Sequence, residues 1–377
     1  MPNLSRRHCL QTLGLTLSAA ALPRVLHAAD EPVRPEKGER DAIAAIAKAF
    51  MEKYEVPGLS VAFAHREKPA YSVGFGMADV DANEAMAPVH RFRIASVSKP
   101  ITSVALFTLV EQGKLKLSDK VLGEGGILHE DYGKDAPPDV ASITIHHLLT
   151  HTCGGWGNNK SDPMFEHKNL DHHDLIVRTL KDHPLEHAPG TNYSYSNFGY
   201  CLLGRTIEKL TGKTYAQFVE NSVLAKSGIT DMKIAGDTRE QRIENEVVYY
   251  GRSGENPYGM NIRRMDSHGG WLASPSDLVE FLIHTANSGA GNVLRDETVK
   301  TMLTAGPPNP GYACGWCVNP VPNRWHNGSL PGTSTIAVRT ASGMCWAGFT
   351  NARGEGIDGA LDRMMWDMAK AVPAWKA

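Results

Sequence analysis

The sequence has little surplus charge of either sign and few long apolar runs. Its 377 residues include 39 Lys and Arg against 41 Asp and Glu. A protein that follows the phosphates of a nucleic acid, or lies on an anionic membrane, needs an excess of basic residues. Beyond the N-terminal region, no apolar segment approaches the roughly 20 residues that span a bilayer. We therefore expect no nucleic-acid partner and no stable insertion of the mature chain into a membrane.

Several motifs of well-known enzyme chemistries are also missing. No G-x-S-x-G occurs, which argues against the nucleophile elbow of a typical α/β-hydrolase. His147 and His151 have the spacing of a zinc pair but lack the glutamate of H-E-x-x-H. Residues 212–214 end like a phosphate-binding loop, but Ile207 stands where that motif requires glycine. The sequence therefore predicts no metal and no cofactor.

The N-terminus has the pattern of an export signal. The pair Arg6-Arg7 precedes an apolar stretch from Leu10 to Leu22, and the small residues Ala28-Ala29 follow. An apolar core of about 13 residues is too short to cross a bilayer and is typical of a signal peptide. Residues 1–29 are thus predicted to be a signal peptide of the twin-arginine type, with a buried N-terminal helix as the alternative. The mature protein is predicted to be periplasmic or secreted.

The mature chain changes pattern twice along its length. A helical spacing over residues 37–55 is followed by apolar runs at Leu59–Ala64 and Ala70–Met77 around a polar turn, which predicts a β-hairpin. Helical segments dominate the middle, and short strand-like runs return at Gly311–Val318, Thr333–Thr340 and Met344–Thr350 before a last helix at Ile357–Val372. This order predicts an α/β (α+β) fold with an antiparallel sheet, flanking terminal helices and an inserted, mainly helical domain. The predicted sheet domain takes residues 30–95 and 263–377, the helical domain 96–262, with the active site between them.

Ser96 and Lys99 form the only S-x-x-K in the chain, at the start of a helix predicted over Val97–Gln112. Residues three apart share a helix face, so the lysine amine can reach the serine hydroxyl. Pro100 indicates that the helix begins close to Ser96, because proline is tolerated only in the first turn. The alternative is an ordinary N-capping serine beside a solvated lysine.

Two further short motifs are candidates for chemistry. Tyr195 and Asn197 lie at a predicted loop-to-helix junction, where a neighbouring ammonium is expected to lower the phenol pKa and the amide can hold both a lysine and a substrate carbonyl. A core tyrosine beside an Asn cap is the alternative. His326, Gly328 and Ser329 precede a predicted strand region over 330–340, where glycine permits close approach and a free N–H can donate to an oxyanion.

The three motifs together, in this order, resemble the serine β-lactamase and penicillin-binding protein superfamily. The chain is most similar to its class C β-lactamase, D-alanyl-D-alanine carboxypeptidase and esterase branch. The resemblance extends over nearly the whole mature chain and includes the hairpin at Pro57–Asp79, the segment Ile143–Gly154 and the tyrosine loop at Gly190–Leu210. It implies a β-lactamase/transpeptidase-like fold.

The resemblance also implies roles for the motif residues. Ser96 would be the acylated nucleophile, Lys99 and Tyr195 the acid/base pair, and Asn197 a substrate-positioning residue. His326, Gly328 and Ser329 would bind substrate, with the backbone N–H groups of Ser96 and Ser329 as oxyanion hole.

One departure from the family pattern bears on the substrate. His326 stands where many members carry lysine, and a neutral imidazole attracts a carboxylate less than an ammonium does. We therefore expect an exported serine hydrolase for small esters or D-amino-acid amides and peptides, whose affinity for carboxylate-bearing β-lactams improves as the pH falls toward about 6. A class C-like β-lactamase and a penicillin-binding or sensor protein with little turnover are the alternatives.

Overall fold

The computed structural model describes residues 31–375, except residues 160, 253 and 286–291. The predicted signal peptide at 1–29 lies outside the described residues. From Pro32 onward the described chain forms one compact unit. No helix in these described ranges is both long and apolar enough to cross a membrane.

The described part of the chain forms the following α-helices and β-strands. The α-helices are α1 Lys37–Tyr54, α2 Ser98–Glu111, α3 Ile145–Leu149, α4 Pro163–Glu166, α5 His172–Asp182, α6 Asn197–Thr211, α7 Tyr215–Val219, α8 Pro275–His284, α9 Asp296–Met302 and α10 Ile357–Lys370. The strands are β1 Gly58–His65, β2 Lys68–Asp79, β3 Glu84–Ala85, β4 Phe92–Arg93, β5 Lys233–Ile234, β6 Trp271–Ala273, β7 Cys317–Val318, β8 Arg324–Leu330, β9 Thr333–Arg339 and β10 Cys345–Thr350. Short 3₁₀ and π turns connect several of them.

The main sheet joins strands from the two ends of the described chain. Its order is β3-β2-β1-β10-β9-β8-β7, and all neighbouring pairs are antiparallel. Strand β1 therefore pairs with β10, with Leu59 opposite Thr350. A second sheet, β4-β6-β5, lies beside the start of α2.

The side chains of β1 point alternately to the two faces of this sheet, and helices cover both faces. Leu59, Val61 and Phe63 pack on one face with residues of α1 and α10. Ala62 and Ala64 point to the other face, whose core includes α2 and α6. Every residue of β1 is buried, so the sheet is the central layer of the described unit.

The predicted fold class is confirmed: an antiparallel sheet carries the terminal helices, and mainly helical segments stand between its two sets of strands. The domain boundaries proposed from the sequence remain a prediction. One local prediction is wrong. The third motif does not precede a strand but lies inside β8, whereas the strand run predicted over Thr333–Thr340 coincides with β9.

Candidate active site

Ser96 lies on a single turn of 3₁₀ helix, Ala95–Val97, between β4 and α2. The backbone of β8 runs directly beside this turn. A Cβ atom at Gly328 would lie 2.3 Å from the Ile94 carbonyl oxygen and 2.9 Å from the Ser96 backbone nitrogen, closer than real contacts allow. Only glycine therefore permits this approach of β8 to the serine.

Lys99 is fully buried one helical turn after Ser96. Its Nζ lies 3.1 Å from Ser96 Oγ, 2.7 Å from Asn197 Oδ1 and 3.0 Å from the His268 carbonyl oxygen. The solvated lysine of the alternative interpretation is thus not what the structure contains. Burial lowers the pKa of Lys99 to about 7, although the negative charge of Asp162 acts in the opposite direction.

These three contacts determine what a neutral Lys99 does. Asn197 Oδ1 and the His268 carbonyl oxygen can only accept hydrogen bonds, so they take the two N–H groups of the neutral amine. The remaining lone pair then faces the Ser96 hydroxyl. A deprotonated Lys99 is therefore oriented to accept the proton of Ser96.

Tyr195 covers the other side of the lysine. Lys99 Nζ lies 4.7 Å from the centre of the Tyr195 ring, and the Ser96 side chain acts to lower the pKa of the phenol. The sequence-based expectation that an ammonium lowers the phenol pKa is wrong, because burial outweighs the favourable contacts and raises it. Tyr195 is consequently a protonated phenol that can donate to a group bound at Ser96.

Asn197 is held by two residues that the sequence analysis did not single out. Its Nδ2 donates to Asp162 Oδ2 at 2.6 Å, and its backbone N–H donates to Asn158 Oδ1 at 3.1 Å. Because the carboxylate takes the amide N–H₂, the amide oxygen is directed toward Lys99. The Asp162-Pro163 pair at the start of α4 indicates a helix cap in the sequence, but nothing local connects it to Asn197.

His326 belongs to a chain of buried hydrogen bonds. His151 Nδ1 accepts the Ser196 backbone N–H, so its Nε2 carries the proton that goes to the Tyr312 hydroxyl, 3.1 Å away. Tyr312 in turn donates to His326 Nε2 at 3.1 Å, while His326 Nδ1 donates to the Asn327 carbonyl at 2.7 Å. Both ring nitrogens of His326 are therefore engaged within the protein.

The imidazole of His326 is also uncharged. Burial, followed by the neighbouring Lys99, lowers its pKa to about 3. It is thus neutral at neutral pH, as the sequence-based interpretation supposed. The accompanying expectation that it gains charge near pH 6 is wrong, because that expectation used the pKa of an exposed histidine.

The motif residues surround one cavity of about 620 Å³. Of the predicted site residues, Ser96, Tyr195, Asn197, His326 and Ser329 line it, whereas Lys99 and Gly328 lie behind its wall. The other lining residues are Asn158, Asp162, Phe165, Tyr193, Met260, Tyr312, Cys317, Asn327, Leu330, Pro331 and Arg353. Several of them, including Asn158, Met260 and Arg353, are far from the motifs in sequence, which is why spacing alone did not reveal them.

Among the described residues, neither the pair His147 and His151 nor the cysteines form a further catalytic centre at this site. His147 and His151 have separate partners, in Thr144 and in Ser196 with Tyr312. In the described ranges, no group of three or more His, Cys, Asp or Glu side chains is arranged to hold a metal ion. The five cysteines of the described chain are unpaired, and burial raises the pKa of Cys317, at the cavity, to about 12.

Two solved structures share this fold. The octameric penicillin-binding protein homologue from Pyrococcus abyssi superposes with a TM-score of 0.71 at 21% identity, covering 89% of this chain and 79% of that protein. The D-amino acid amidase from Ochrobactrum anthropi SV3, complexed with L-phenylalanine amide, gives a TM-score of 0.72 at 21% identity and coverages of 90% and 99%.

Sequence comparison gives relatives at similar distance. Protein flp of Staphylococcus aureus (strain MRSA252) is 26% identical over 295 residues, which are 76% of this chain but only 58% of flp. The chain thus spans little more than half the length of that relative. Penicillin-binding protein 4* of Bacillus subtilis (strain 168) is 25% identical over 335 residues, 81% of this chain and 70% of the relative. Residues 43–367 match the Beta-lactamase family, and the chain therefore belongs to that family.

Proposed function

We propose that the protein is an exported serine hydrolase that forms an acyl-enzyme on Ser96 and cleaves small esters or D-amino-acid amides and peptides. The observation that carries this proposal is the set of contacts around Lys99, a buried amine with a pKa of about 7 beside a serine that opens onto a cavity. Nucleophilic serines need such a neighbouring base, because the hydroxyl alone is a weak nucleophile.

In the proposed acylation, neutral Lys99 takes the proton of Ser96 Oγ as the oxygen attacks the substrate carbonyl. The backbone N–H groups of Ser96 and Ser329 stabilise the oxyanion, and Gly328 lets their two backbones approach. The proton then passes from Lys99 through the Tyr195 phenol to the leaving amine or alcohol. Breakdown of the tetrahedral intermediate leaves an ester on Ser96.

Deacylation uses the same residues in reverse order. A water molecule enters the position that the leaving group vacated and loses a proton to the Tyr195–Lys99 pair as it attacks the ester. The Asn197 amide, fixed by Asp162 and Asn158, holds both Lys99 and the substrate carbonyl in place. The products are a carboxylic acid and free Ser96.

The similarity to the named relatives supports the reaction class. The neighbours include an amidase and penicillin-binding proteins, and export is supported by the twin-arginine pattern of residues 1–29. The neutral His326 favours substrates without a carboxylate at that wall of the cavity.

Covalent labelling tests the proposal. We expect a short-chain nitrophenyl ester and a fluorescent penicillin each to add one acyl group to the protein by intact mass, and Ser96→Ala to abolish both adducts. The substitution removes no capping hydrogen bond, because the Ser96 side chain caps no helix, so thermal unfolding should be nearly unchanged. Persistent labelling of a folded Ser96→Ala protein would contradict the assignment of the nucleophile.

A further inference from the structure

The charged groups that line the cavity are few, and most are neutralised within the protein. Arg353 forms a bidentate ion pair with Glu255, with Nε at 2.8 and 3.1 Å from the two carboxylate oxygens. His326 is neutral, with both nitrogens engaged in hydrogen bonds. The remaining charged side chain of the lining is Asp162.

Among the described residues, the Asp162 carboxylate has hydrogen-bond donors but no cationic side chain directly beside it. It accepts the backbone N–H of Met164 at 3.0 Å and the Asn197 amide at 2.6 Å, and both donors are uncharged. Among the described residues, no lysine or arginine forms an ion pair with it. Burial raises the pKa of Asp162, while the hydrogen bonds from Asn197 and Met164 and the charge of Lys99 act in the opposite direction. A carboxylate with two oxygens accepts up to about four hydrogen bonds, so it retains acceptor capacity toward the cavity.

We infer that Asp162 is a subsite for a positively charged amino group of the substrate, so that the preferred substrates carry a free amine near the scissile carbonyl and no carboxylate. This inference rests on the proposed function, because it places the amine beside the acyl group that Ser96 attacks. Asn197 connects the two positions: it contacts Lys99 at the nucleophile and Asp162 at the other end of the amide.

The rest of the lining agrees with an amino-acid derivative. Phe165, three residues after Asp162, is an exposed aromatic side chain at the cavity, and Met260 and Leu330 add apolar surface. An apolar substrate side chain can be buried against these three residues while its amine meets the carboxylate. A substrate with a carboxylate in place of the amine would face Asp162 with like charge.

Three kinds of substrate, with a free amine, no amine or a carboxylate in place of the amine, test the inference. They are phenylalanine p-nitroanilide in both enantiomers, the des-amino analogue 3-phenylpropanoyl p-nitroanilide, and N-succinyl-phenylalanine p-nitroanilide. We expect kcat/KM of one enantiomer of the free amine to exceed that of the des-amino analogue by on the order of 10- to 100-fold, the range of a hydrogen bond to a charged group. The succinylated substrate should be the poorest.

Asp162→Asn and a matched control test whether Asp162 causes the preference for the free amine. The substitution should reduce the preference for the free amine at least tenfold, whatever it does to turnover through Asn197. The control is Asp171→Asn, which changes another N-capping aspartate, at α5, that does not line the cavity. It should leave the preference unchanged.

The possible outcomes separate the two proposals. If the des-amino analogue is hydrolysed as well as the free amines, or the preference survives in Asp162→Asn, the amine subsite is wrong while the hydrolase remains. If Asp162→Asn is inactive on every substrate, the order of the three substrates in the wild type still decides. Absence of an acyl adduct and of turnover with all of these anilides would overturn the subsite, and the same result with the short-chain nitrophenyl ester as well would overturn the hydrolase too.

Discussion

Lys99 and His326 show how burial sets the charge of individual residues in this site. Each loses exposure to water, and for a basic group that loss disfavours the protonated form. The pKa of the amine falls to about 7, where the group still titrates near neutral pH, and that of the imidazole falls to about 3. The lysine is thereby suited to exchange protons, whereas the histidine acts as a neutral hydrogen-bonding group.

The pKa of Lys99 leads to a specific pH dependence. The base must be neutral to accept the Ser96 proton, so the active fraction rises as the pH passes upward through about 7. With an uncharged nitrophenyl ester we expect kcat/KM to fall tenfold per pH unit well below this value and to level off above about 8. The measurement is initial rate from pH 5 to 9, corrected with Ser96→Ala for spontaneous hydrolysis.

Neither His326 nor Tyr195 contributes to this pH profile. His326 with a pKa of about 3 and the protonated Tyr195 phenol do not titrate across that range. A single acid limb near pH 7 therefore reports Lys99. A flat profile, or a limb near the pKa of about 10.4 of an exposed lysine, would show that the amine is not the base.

At the scale of elements, the approach of β8 to the Ser96 turn decides the geometry of the site. Strand β8 brings His326, Gly328 and Ser329 to the cavity in register with β9, where Gly328 is opposite Thr335. The Thr335 hydroxyl donates to the Ile94 carbonyl oxygen at 2.9 Å, which joins the sheet to the segment just before Ser96. The two backbones are thus in contact through Gly328 itself.

We expect Gly328→Ala to damage activity more than folding. The added methyl group would overlap the Ile94 carbonyl oxygen, so β8 must move away from Ser96. Overpacking of this kind destabilises by about 1–3 kcal/mol, whereas displacing a single oxyanion donor lowers kcat by about 10²- to 10³-fold. Steady-state kinetics and urea unfolding measure the two effects separately.

Gly38→Ala serves as the control for this substitution. Gly38 lies in α1, and a Cβ there meets nothing within 4 Å. The control should be neutral or more stable, with unchanged kcat/KM, because alanine is the better helix former. A fully active Gly328→Ala would show that close approach of β8 to Ser96 is not required.

Some of these elements can be predicted from the sequence and others cannot, for physical reasons. The hairpin β1–β2 and helix α2 were predicted nearly to their observed ends, because their burial is carried by apolar side chains. The sequence does not predict strand β8, because the buried side of this strand includes Arg324, His326 and Gly328. Buried and more exposed side chains alternate along the strand, but apolar and polar residues do not. His326 and Gly328 stand at the candidate site, whereas Arg324 donates a hydrogen bond to the Thr285 carbonyl oxygen away from it.

The candidate site was predictable to a similar extent. Ser96, Lys99, Tyr195 and Asn197 are close in short motifs whose order is informative. Asp162 is 35 residues from Asn197 and meets it only through the fold. Neither hydrophobic periodicity nor the spacing of neighbouring residues indicates such a contact, so the role of Asp162 becomes visible only in the folded structure.

At the scale of the whole molecule, the arrangement of the chain places the three motifs on separate supports. Ser96 stands on the 3₁₀ turn before α2 and Lys99 on α2 itself, Tyr195 and Asn197 lie at the junction that begins α6, and His326 lies on a strand near the edge of the main sheet. Helix α2 is buried along most of its length, which holds Lys99 firmly in place. The substrate is therefore received between elements rather than on one loop.

This arrangement predicts how the protein responds to β-lactams. A penicillin should acylate Ser96, because the nucleophile and its base are independent of the substrate carboxylate. Its affinity should be low and should not improve between pH 8 and pH 6, because His326 remains uncharged and offers no ammonium to the β-lactam carboxylate. The rate of acylation should fall over the same interval as Lys99 becomes protonated.

The time course of that reaction distinguishes the remaining functional alternatives. We expect a burst of about one equivalent of opened β-lactam per chain, followed by turnover at least about 10²-fold slower than that of a small ester, since the described lining offers no unpaired positive charge to position the carboxylate of the acyl-enzyme. Stopped-flow absorbance with a chromogenic cephalosporin, and intact mass at intervals, measure burst and adduct lifetime. Sustained cephalosporin turnover at pH 8 faster than ester turnover would instead identify a β-lactamase. A stable adduct combined with negligible turnover of every ester, amide and peptide would identify a penicillin-binding sensor, in which the same acylation chemistry proceeds without release.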